Sequence, residues 1–327
     1  MSTVELPGAY MRDIVDLAAT WTVAPDALLA GLPITLAALQ DPTTRVPLRV
    51  CEAIVRRAIA MTGQPALAVQ FGLRMRASSH GFLGFAAMTA RTVGDALALA
   101  VKFAATRTSA VGLALYVEGE MASLVIEERV DLGAAREFLV IGLQVGFWSV
   151  ATELTGLVPE GYADCAFPAP AYAASSQFGS RMRFDRPVNR LVFDAKVLAL
   201  PLKSADVVAT RLAIEQCERE LALAADAGIV GHVRDQIAAG KTGIEAVAKQ
   251  LHVSPRTLKR RLAEQATSFS AIRDELRRQR ALVLLDDRHL AIGDVAARLG
   301  YTELPNFTRA FRKWTGMTPQ AYRGRSR

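Results

Sequence analysis

Apolar residues recur at helical spacing over several long stretches of the chain. In Pro47–Ala60 they return every three to four positions, and Thr92–Ala105 repeats the pattern behind a threonine that can cap a helix. This spacing predicts amphipathic α-helices. Ala134–Leu154 is apolar on nearly every side, which predicts a helix buried in a core, and Ser204–Ala224 predicts a further helix.

Between these helices the pattern becomes that of β-strands. Gly112–Val117 and Ser123–Glu127 are separated by Glu-Gly-Glu at 118–120, which predicts a β-hairpin. Met182–Phe184 and Leu191–Phe193 are shorter strand candidates. Residues 1–224 are therefore expected to form an α+β domain.

From Ile229 onward every pattern is helical, and the tail repeats itself. An apolar set recurs at an offset of 48 residues and a second set at an offset of 49, past one inserted residue. The first set pairs Ile244, Val247, Ala248 and Leu251 with Ile292, Val295, Ala296 and Leu299, and the second pairs Leu258, Leu262 and Ser270 with Phe307, Phe311 and Pro319.

Each repeat has the pattern of two helices joined by a short turn. Lys241–His252 begins with a capping box of Thr242 and Glu245; Ser254 is placed to cap the second helix, which has Pro255 at its first position. In the second repeat, Thr302 is predicted to cap Glu303–Trp314.

A small residue, Ala248 or Ala296, stands where two helices must approach closely, as a helix-turn-helix requires. The helix Phe269–Leu285 between the repeats spans roughly 24 Å. That spacer suits two recognition helices about one turn of DNA apart. The alternative is an ordinary helical bundle with an accidental repeat.

The charge distribution favours DNA over that alternative. Residues 1–239 carry 21 basic and 24 acidic side chains, a net charge of −3, whereas residues 240–327 carry 18 and 8, a net charge of +10. Cations and hydrogen-bonding groups fall on the second helix of each repeat, where DNA contacts are expected. The candidate DNA-binding residues are Arg256, Thr257, Lys259, Arg260, Leu304, Pro305, Asn306, Thr308, Arg309, Arg312 and Lys313.

The tail resembles the C-terminal signature of AraC-type (AraC/XylS) transcriptional regulators. The residues that carry this resemblance are Ile292–Tyr301, Asn306–Gly316, Thr318-Pro319 and Tyr322-Arg323. It implies that the second helices enter successive major grooves. Arg256, Lys259 and Arg260 would then face bases in the first helix. The apolar pair Leu304-Pro305 and the uncapped Ala291 depart from the family pattern.

Residues 31–204 resemble the arabinose-binding-like sensor domain of one branch of that family. The matching pieces are His80–Phe85, Thr92–Leu97, Leu191–Asp194 and Pro201-Leu202. The resemblance implies a small-molecule effector without identifying it. His80, Phe82, Phe85 and Arg107 are candidates to line a pocket where the glycine-rich segment meets the hairpin, although burial preference favours the core for both phenylalanines.

These expectations define the domains: 1–224 for effector sensing and dimerisation, 225–240 for the linker and the first helix of the next domain, and 229–327 for the double helix-turn-helix. We expect a cytoplasmic, non-enzymatic regulator, an activator by family analogy. Its expected partners are promoter or operator DNA, an unidentified effector, a second copy of the chain and RNA polymerase. No cofactor, metal or membrane is expected.

Two further functions fit parts of the sequence. Some DNA-repair alkyltransferases carry the same DNA-binding module, but their nucleophile lies in a Pro-Cys-His-Arg motif, and none of Cys51, Cys165 and Cys217 has an adjacent histidine. A non-specific architectural protein would use the same basic surface without sequence preference. The motifs HExxH, GxSxG and GxGxxG are absent from the sequence.

Overall fold

The structure, a computed structural model, describes residues 4–175, 178–224, 229–238, 240–241 and 243–325. The chain forms two compact units, Met1–Ala227 and Gly228–Arg327, called unit 1 and unit 2 below. Residues 225–228 of the predicted linker segment 225–240 and Thr242 of the predicted capping box lie outside the described residues.

Unit 1 mixes strands and helices, as its pattern predicts. Its strands are β1 Glu5–Pro7, β2 Arg45–Pro47, β3 Val111–Glu118, β4 Met121–Glu128, β5 Gly161–Asp164, β6 Met182–Arg183 and β7 Asn189–Asp194. Its α-helices are α1 Gly8–Ala19, α2 Pro25–Leu29, α3 Leu36–Gln40, α4 Leu48–Thr62, α5 Leu67–Arg74, α6 Gly81–Thr89, α7 Val93–Arg107, α8 Arg136–Thr155 and α9 Val207–Ala224.

The main sheet has the strand order β3-β4-β7-β5-β6 and is antiparallel except for the parallel pair β5–β6. The predicted hairpin is confirmed: Glu118 pairs with Met121 across a two-residue turn in which Gly119 has a φ of 59°. The strands β1, β2 and β5 were not predicted. They span three or four residues each, too few for an alternating pattern to be recognised.

Buried charge joins three strands of this sheet. The carboxylate of Asp164 on β5 accepts a hydrogen bond at 2.7 Å from the Nε of Arg183 on β6 and another at 2.7 Å from the Nε of Arg190 on β7. The side chains of Asp164 and Arg190 are 1% and 5% exposed. Because removal of either partner would leave an uncompensated buried charge, we assign this cluster to the fold.

Side-chain caps set two helix starts in unit 1. The hydroxyl of Thr92 accepts a hydrogen bond from the amide of Asp95, which confirms the predicted cap of α7. The last helix begins at Val207 and not at Ser204, because the carboxylate of Asp206 accepts hydrogen bonds at 2.9 Å from the amides of Val208 and Ala209.

The helix α8 forms the centre of unit 1. Residues Gly133–Thr155 are long and apolar enough to cross a membrane, but half of the span is buried inside the protein. Glycines allow α8 and α5 to approach closely: a Cβ on Gly72 would lie 2.6 Å from the Cβ of Val145. The one polar break, Gln144, is buried and donates a hydrogen bond at 2.8 Å to the carbonyl of Asp164. These contacts are those of a core helix.

Unit 2 is helical throughout its described residues, which confirms the predicted fold class. Its helices are α10 Ile229–Ala238, α11 Ile244–Gln250, α12 Pro255–Glu264, α13 Phe269–Asp286, α14 Ile292–Arg298, α15 Leu304–Thr315 and α16 Pro319–Arg325. Helices α10, α11, α12 and α13 share a core of Val233, Val247, Ala248, Leu258, Leu262 and Ile272.

Candidate nucleic-acid interface

The two helical repeats of unit 2 have the same turn between their helices. In the first, His252 has a φ of 54° and the amide of Val253 donates to the carbonyl of Ala248 at 3.0 Å. In the second, Gly300 has a φ of 80° and the amide of Tyr301 donates to the carbonyl of Ala296 at 2.9 Å. Every member of this turn is displaced by 48 residues, the offset of the sequence repeat.

This turn brings the helices of each repeat together at a small residue. Ala248 is 0% and Ala296 2% exposed. A larger side chain there would force the helices apart, so the small residues serve the predicted role. The structure thus contains two helix-turn-helix units, α11–α12 and α14–α15.

In the first helix-turn-helix unit, α12 buries one face and exposes its cations. Leu258 and Leu262 are fully buried against the unit's core. The cationic side chains of the helix lie on the solvent side: Arg256, Lys259, Arg260 and Arg261 are exposed. This is the arrangement that a recognition helix needs, because the apolar face fixes the helix while long cations reach phosphates and base edges.

The start of α12 is held by a side-chain cap. The hydroxyl of Ser254 accepts a hydrogen bond from the amide of Thr257 at 3.1 Å, which confirms the predicted cap. The hydroxyl of Thr257 itself lies 2.8 Å from that of Ser254. Thr257 therefore takes part in the cap with its amide and its hydroxyl. The residue is half-buried, which leaves only part of its side chain accessible to DNA.

In the second helix-turn-helix unit, α15 is anchored by aromatic rings. Phe307 and Phe311 are fully buried, with ring centroids 5.7 Å apart, and Tyr301 and Tyr322 pack against them at 5.6 Å. On the other side, Leu304, Pro305, Arg309, Arg312 and Lys313 are exposed, whereas Asn306 and Thr308 are half-buried.

The predicted cap of α15 is wrong. The residue before the helix is Glu303, not Thr302, and no side chain caps the first turn. Because Leu304-Pro305 opens the helix one residue later than predicted, the hydroxyl of Thr302 is outside the capping position. The predicted absence of a capping hydroxyl at Ala291, before α14, is confirmed.

Short hydrogen bonds hold several candidate side chains in place. The guanidinium of Arg309 donates to the amide oxygen of Asn306 at 2.6 Å, which orients both side chains. Arg260 pairs with Glu264 one turn along α12, and both side chains are more than half exposed. Glu264 is the single acidic residue on α12, so it is the local competitor of a DNA phosphate. The four-residue spacing of Arg260 and Glu264 is the signal in the sequence that indicates such a pair on a helix.

Unit 1 contains a cavity of about 150 Å³ that His80 and Arg107 line, together with Gly84 and the hairpin strand β3. Phe82 and Phe85 lie outside it and are 46% and 56% exposed, so their predicted placement in a pocket or core is wrong. The reason is the orientation of α6: a Cβ on Gly84 would lie 1.7 Å from the carbonyl oxygen of Ala77. Because only glycine leaves room for this contact, the face of α6 that carries Gly84 packs inward. Phe82 and Phe85 lie on the other side of the helix, in solvent.

The cysteines lack the environment of a nucleophile. Cys51, Cys165 and Cys217 are all free and buried. Burial raises the pKa of the thiols of Cys51 and Cys165 to about 12 and that of Cys217 to about 11. A thiolate is therefore disfavoured at each position, which counts against the alkyltransferase mechanism.

Comparison with known proteins assigns both parts of the chain. Residues 23–202 match the N-terminal arabinose-binding domain of AraC transcription regulators, and residues 247–325 match a helix-turn-helix domain. The chain belongs to the AraC family of transcriptional regulators. It is 32% identical to the ornithine utilization regulator of Pseudomonas aeruginosa, over 98% of this chain and 97% of that protein.

Other transcriptional regulators match more weakly. VirS of Mycobacterium tuberculosis is 34% identical over 149 residues, 44% of each chain. The crystal structure of the regulator CdpR from Pseudomonas aeruginosa covers 96% of this chain and 97% of its own, with 23% identity and a TM-score of 0.47. As an AraC-family member, the chain is a DNA-binding transcriptional regulator with an N-terminal ligand-binding domain, and its relatives are regulators rather than enzymes.

Proposed function

We propose that this AraC-family protein activates transcription from a specific operator when an effector occupies unit 1. The observation that carries the proposal is the duplicated helix-turn-helix, in which each second helix buries its apolar face and exposes its cations. The helix α13 is 18 residues and about 27 Å long. It separates the two helix-turn-helix units of unit 2 by a distance that suits successive major grooves.

The two recognition helices differ in chemistry. On α12, Arg256, Lys259 and Arg260 read bases, because long cations reach guanine edges in the major groove. On α15, Asn306, Thr308 and Arg309 supply hydrogen bonds, and Leu304-Pro305 supplies only apolar contact. Arg312 and Lys313, at the other end of α15, bind phosphates. The second helix therefore contributes less to sequence preference than the first.

A fluorescence anisotropy experiment tests this assignment. The full chain is titrated against the DNA upstream of its own gene and against a random duplex of equal length, at two salt concentrations. Arg260→Ala is expected to cost about 1–3 kcal/mol of binding free energy on the upstream DNA and to relax the base preference. Lys313→Ala is expected to weaken binding to both duplexes and to lower the salt slope of binding by about one. If each variant lost the same affinity for the upstream DNA as for the random duplex, the assignment of base-reading and phosphate-binding residues would be overturned.

The wild-type protein also separates a regulator from an architectural protein. Specific binders prefer their site by about 10³-fold or more. Equal affinity for many genomic fragments, fading together with salt, would support the architectural function. Addition of RNA polymerase to an upstream template then distinguishes activation, in which transcript increases, from repression, in which it falls.

We further propose that the protein acts in the cytoplasm as a homodimer through unit 1. Support comes from apolar side chains that α6 and α9, which pack together, leave in solvent: Phe82, Phe85, Val208 and Leu212 are 46–58% exposed. Light scattering of the wild type and Phe85→Ser tests this surface. A dimer that Phe85→Ser converts to monomer supports it, and a wild-type monomer contradicts it.

A further inference from the structure

The cavity in unit 1 is almost entirely apolar. Of the 24 described residues that line it, 20 carry aliphatic, aromatic or thioether side chains or are glycine. Helices α1, α5, α6, α7 and α8 and strand β3 contribute most of them. The volume of about 150 Å³ equals that of dry apolar cavities that accommodate a benzene ring.

The remaining four lining residues are Tyr10, His80, Arg107 and Thr108. The hydroxyl of Tyr10 and the Nδ1 of His80 lie 2.7 Å apart and hydrogen-bond each other. Burial and the nearby Arg107 lower the pKa of His80 to about 4, so the imidazole is neutral at neutral pH. Arg107 is therefore the single charged group among the described lining residues.

The guanidinium of Arg107 is incompletely satisfied. Its Nε is buried and lacks a hydrogen-bond partner among the described residues. The nearest carboxylate, Glu220 on α9, lies 3.9 Å from Nη1, beyond hydrogen-bonding distance, and its Oε2 is also buried without a hydrogen bond. A guanidinium prefers two parallel hydrogen bonds to one carboxylate, which this arrangement does not provide.

We propose that the cavity binds a small carboxylic acid, with an apolar body of about six carbons against the walls and its carboxylate on Arg107. This inference rests on the proposed control by an effector and specifies the effector's chemistry. A sugar is disfavoured because most of its hydroxyls would be buried without partners. A diamino acid such as ornithine is disfavoured because the described lining contains no acidic residue.

The same geometry connects the ligand to the end of unit 1. A carboxylate that takes the hydrogen bonds of Arg107 competes with Glu220, which is four residues from the end of α9. Occupied and empty cavities therefore differ in how α9 is held on α7, and α9 is the last helix before unit 2 in the sequence. Such a difference is what an effector needs in order to shift a population.

Calorimetric titration of the full chain tests the ligand class. The probes are hexanoate and benzoate, their neutral amides, arabinose and ornithine. We expect the acids to bind at least tenfold more tightly than the amides, with no binding of arabinose or ornithine. Equal binding of acids and amides, binding of arabinose or ornithine in preference to the acids, or no binding of any acid to the folded wild type would overturn the proposal.

Matched variants localise the binding. Arg107→Met is expected to remove the preference for acid over amide, and Arg107→Lys to retain part of it. Ala104→Leu, which fills the cavity, should weaken acid and amide alike. Lys102→Met is the control: Lys102 is also on α7 and also pairs with α9, at 2.9 Å from Glu218, but it is exposed and outside the cavity. A loss of acid binding in Lys102→Met equal to that in Arg107→Met would contradict the site.

DNA anisotropy with and without hexanoate separates this inference from the proposed function. If the acid binds and the DNA affinity is unchanged, the ligand class stands and control by that ligand fails. If no acid binds while the upstream DNA is still preferred, the ligand class fails and the regulator stands.

Discussion

The duplicated turn of the helix-turn-helix units makes a prediction in which one kind of substitution has opposite effects at two positions. Gly300 adopts a φ of 80° between α14 and α15, and the nearest atom to an added Cβ is the Nη2 of Arg277 at 3.9 Å. Alanine therefore meets no steric obstacle there, and its cost is that of the backbone alone. Gly293 is the second residue of α14, and an added Cβ there has nothing within 4 Å.

The magnitudes follow from backbone energetics. A non-glycine residue in the left-handed region costs about 1–2 kcal/mol, and the lower entropy of unfolded alanine offsets about 0.4–1 kcal/mol of this. Gly300→Ala is thus expected to destabilise the second helix-turn-helix unit, α14–α15, by about 1 kcal/mol. Gly293→Ala should stabilise the same helix-turn-helix unit by at most about 0.5–1 kcal/mol, the value for the middle of a helix, because alanine favours a helix.

Hydrogen exchange of the full chain, read by mass spectrometry on peptides within 292–315, measures the effect locally. A destabilisation of about 1 kcal/mol corresponds to about fivefold faster exchange of amides that exchange by opening of this unit. Peptides within 244–264 serve as the internal control. Slower or unchanged exchange in Gly300→Ala, or a shift of the same sign in Gly293→Ala, would refute the argument.

Three further predictions concern protonation, capping and the DNA-facing charge. Because the pKa of His80 is lowered to about 4 from about 6.5 in the unfolded chain, unfolding takes up a proton at acidic pH. The contribution of His80 to the stability of unit 1 should therefore be fully present above pH 6.5 and be lost as the pH falls towards 4, by at most about 3 kcal/mol. Thermal melts measure this loss, and His80→Gln should flatten the profile. Local exchange should show that Ser254→Ala destabilises α12 by about 1 kcal/mol and that Ala291→Ser stabilises α14, and a common sign would be inconsistent with capping. Glu264→Gln should raise DNA affinity by about two- to fivefold, because Arg260 loses its exposed ion-pair partner, and weaker binding in anisotropy would disprove the competition.

Much of unit 2 could be predicted because its signals are local. Apolar spacing places the helices, Ser254 caps α12 through the amide of Thr257, and the repeat offset pairs the two turns. The turn itself was hidden in the first unit, since a histidine at 252 occupies the left-handed position that glycine occupies at 300. The predicted cap at Thr302 failed by one residue, a shift that no local rule resolves when proline stands in the first turn.

The sequence by itself determined the order of the two units, the helix-turn-helix repeat and its exposed cations, because neighbouring residues along the chain decide helical faces. Tertiary structure decided the pairing of strands β1 and β2, some 40 residues apart, and the side of α6 that faces inward. It also decided that Arg107 ends an apolar cavity while Phe82 and Phe85 remain in solvent. These outcomes depend on contacts between distant segments, such as Gly84 against the carbonyl of Ala77, and steric fit between packed helices leaves no periodic trace in the sequence.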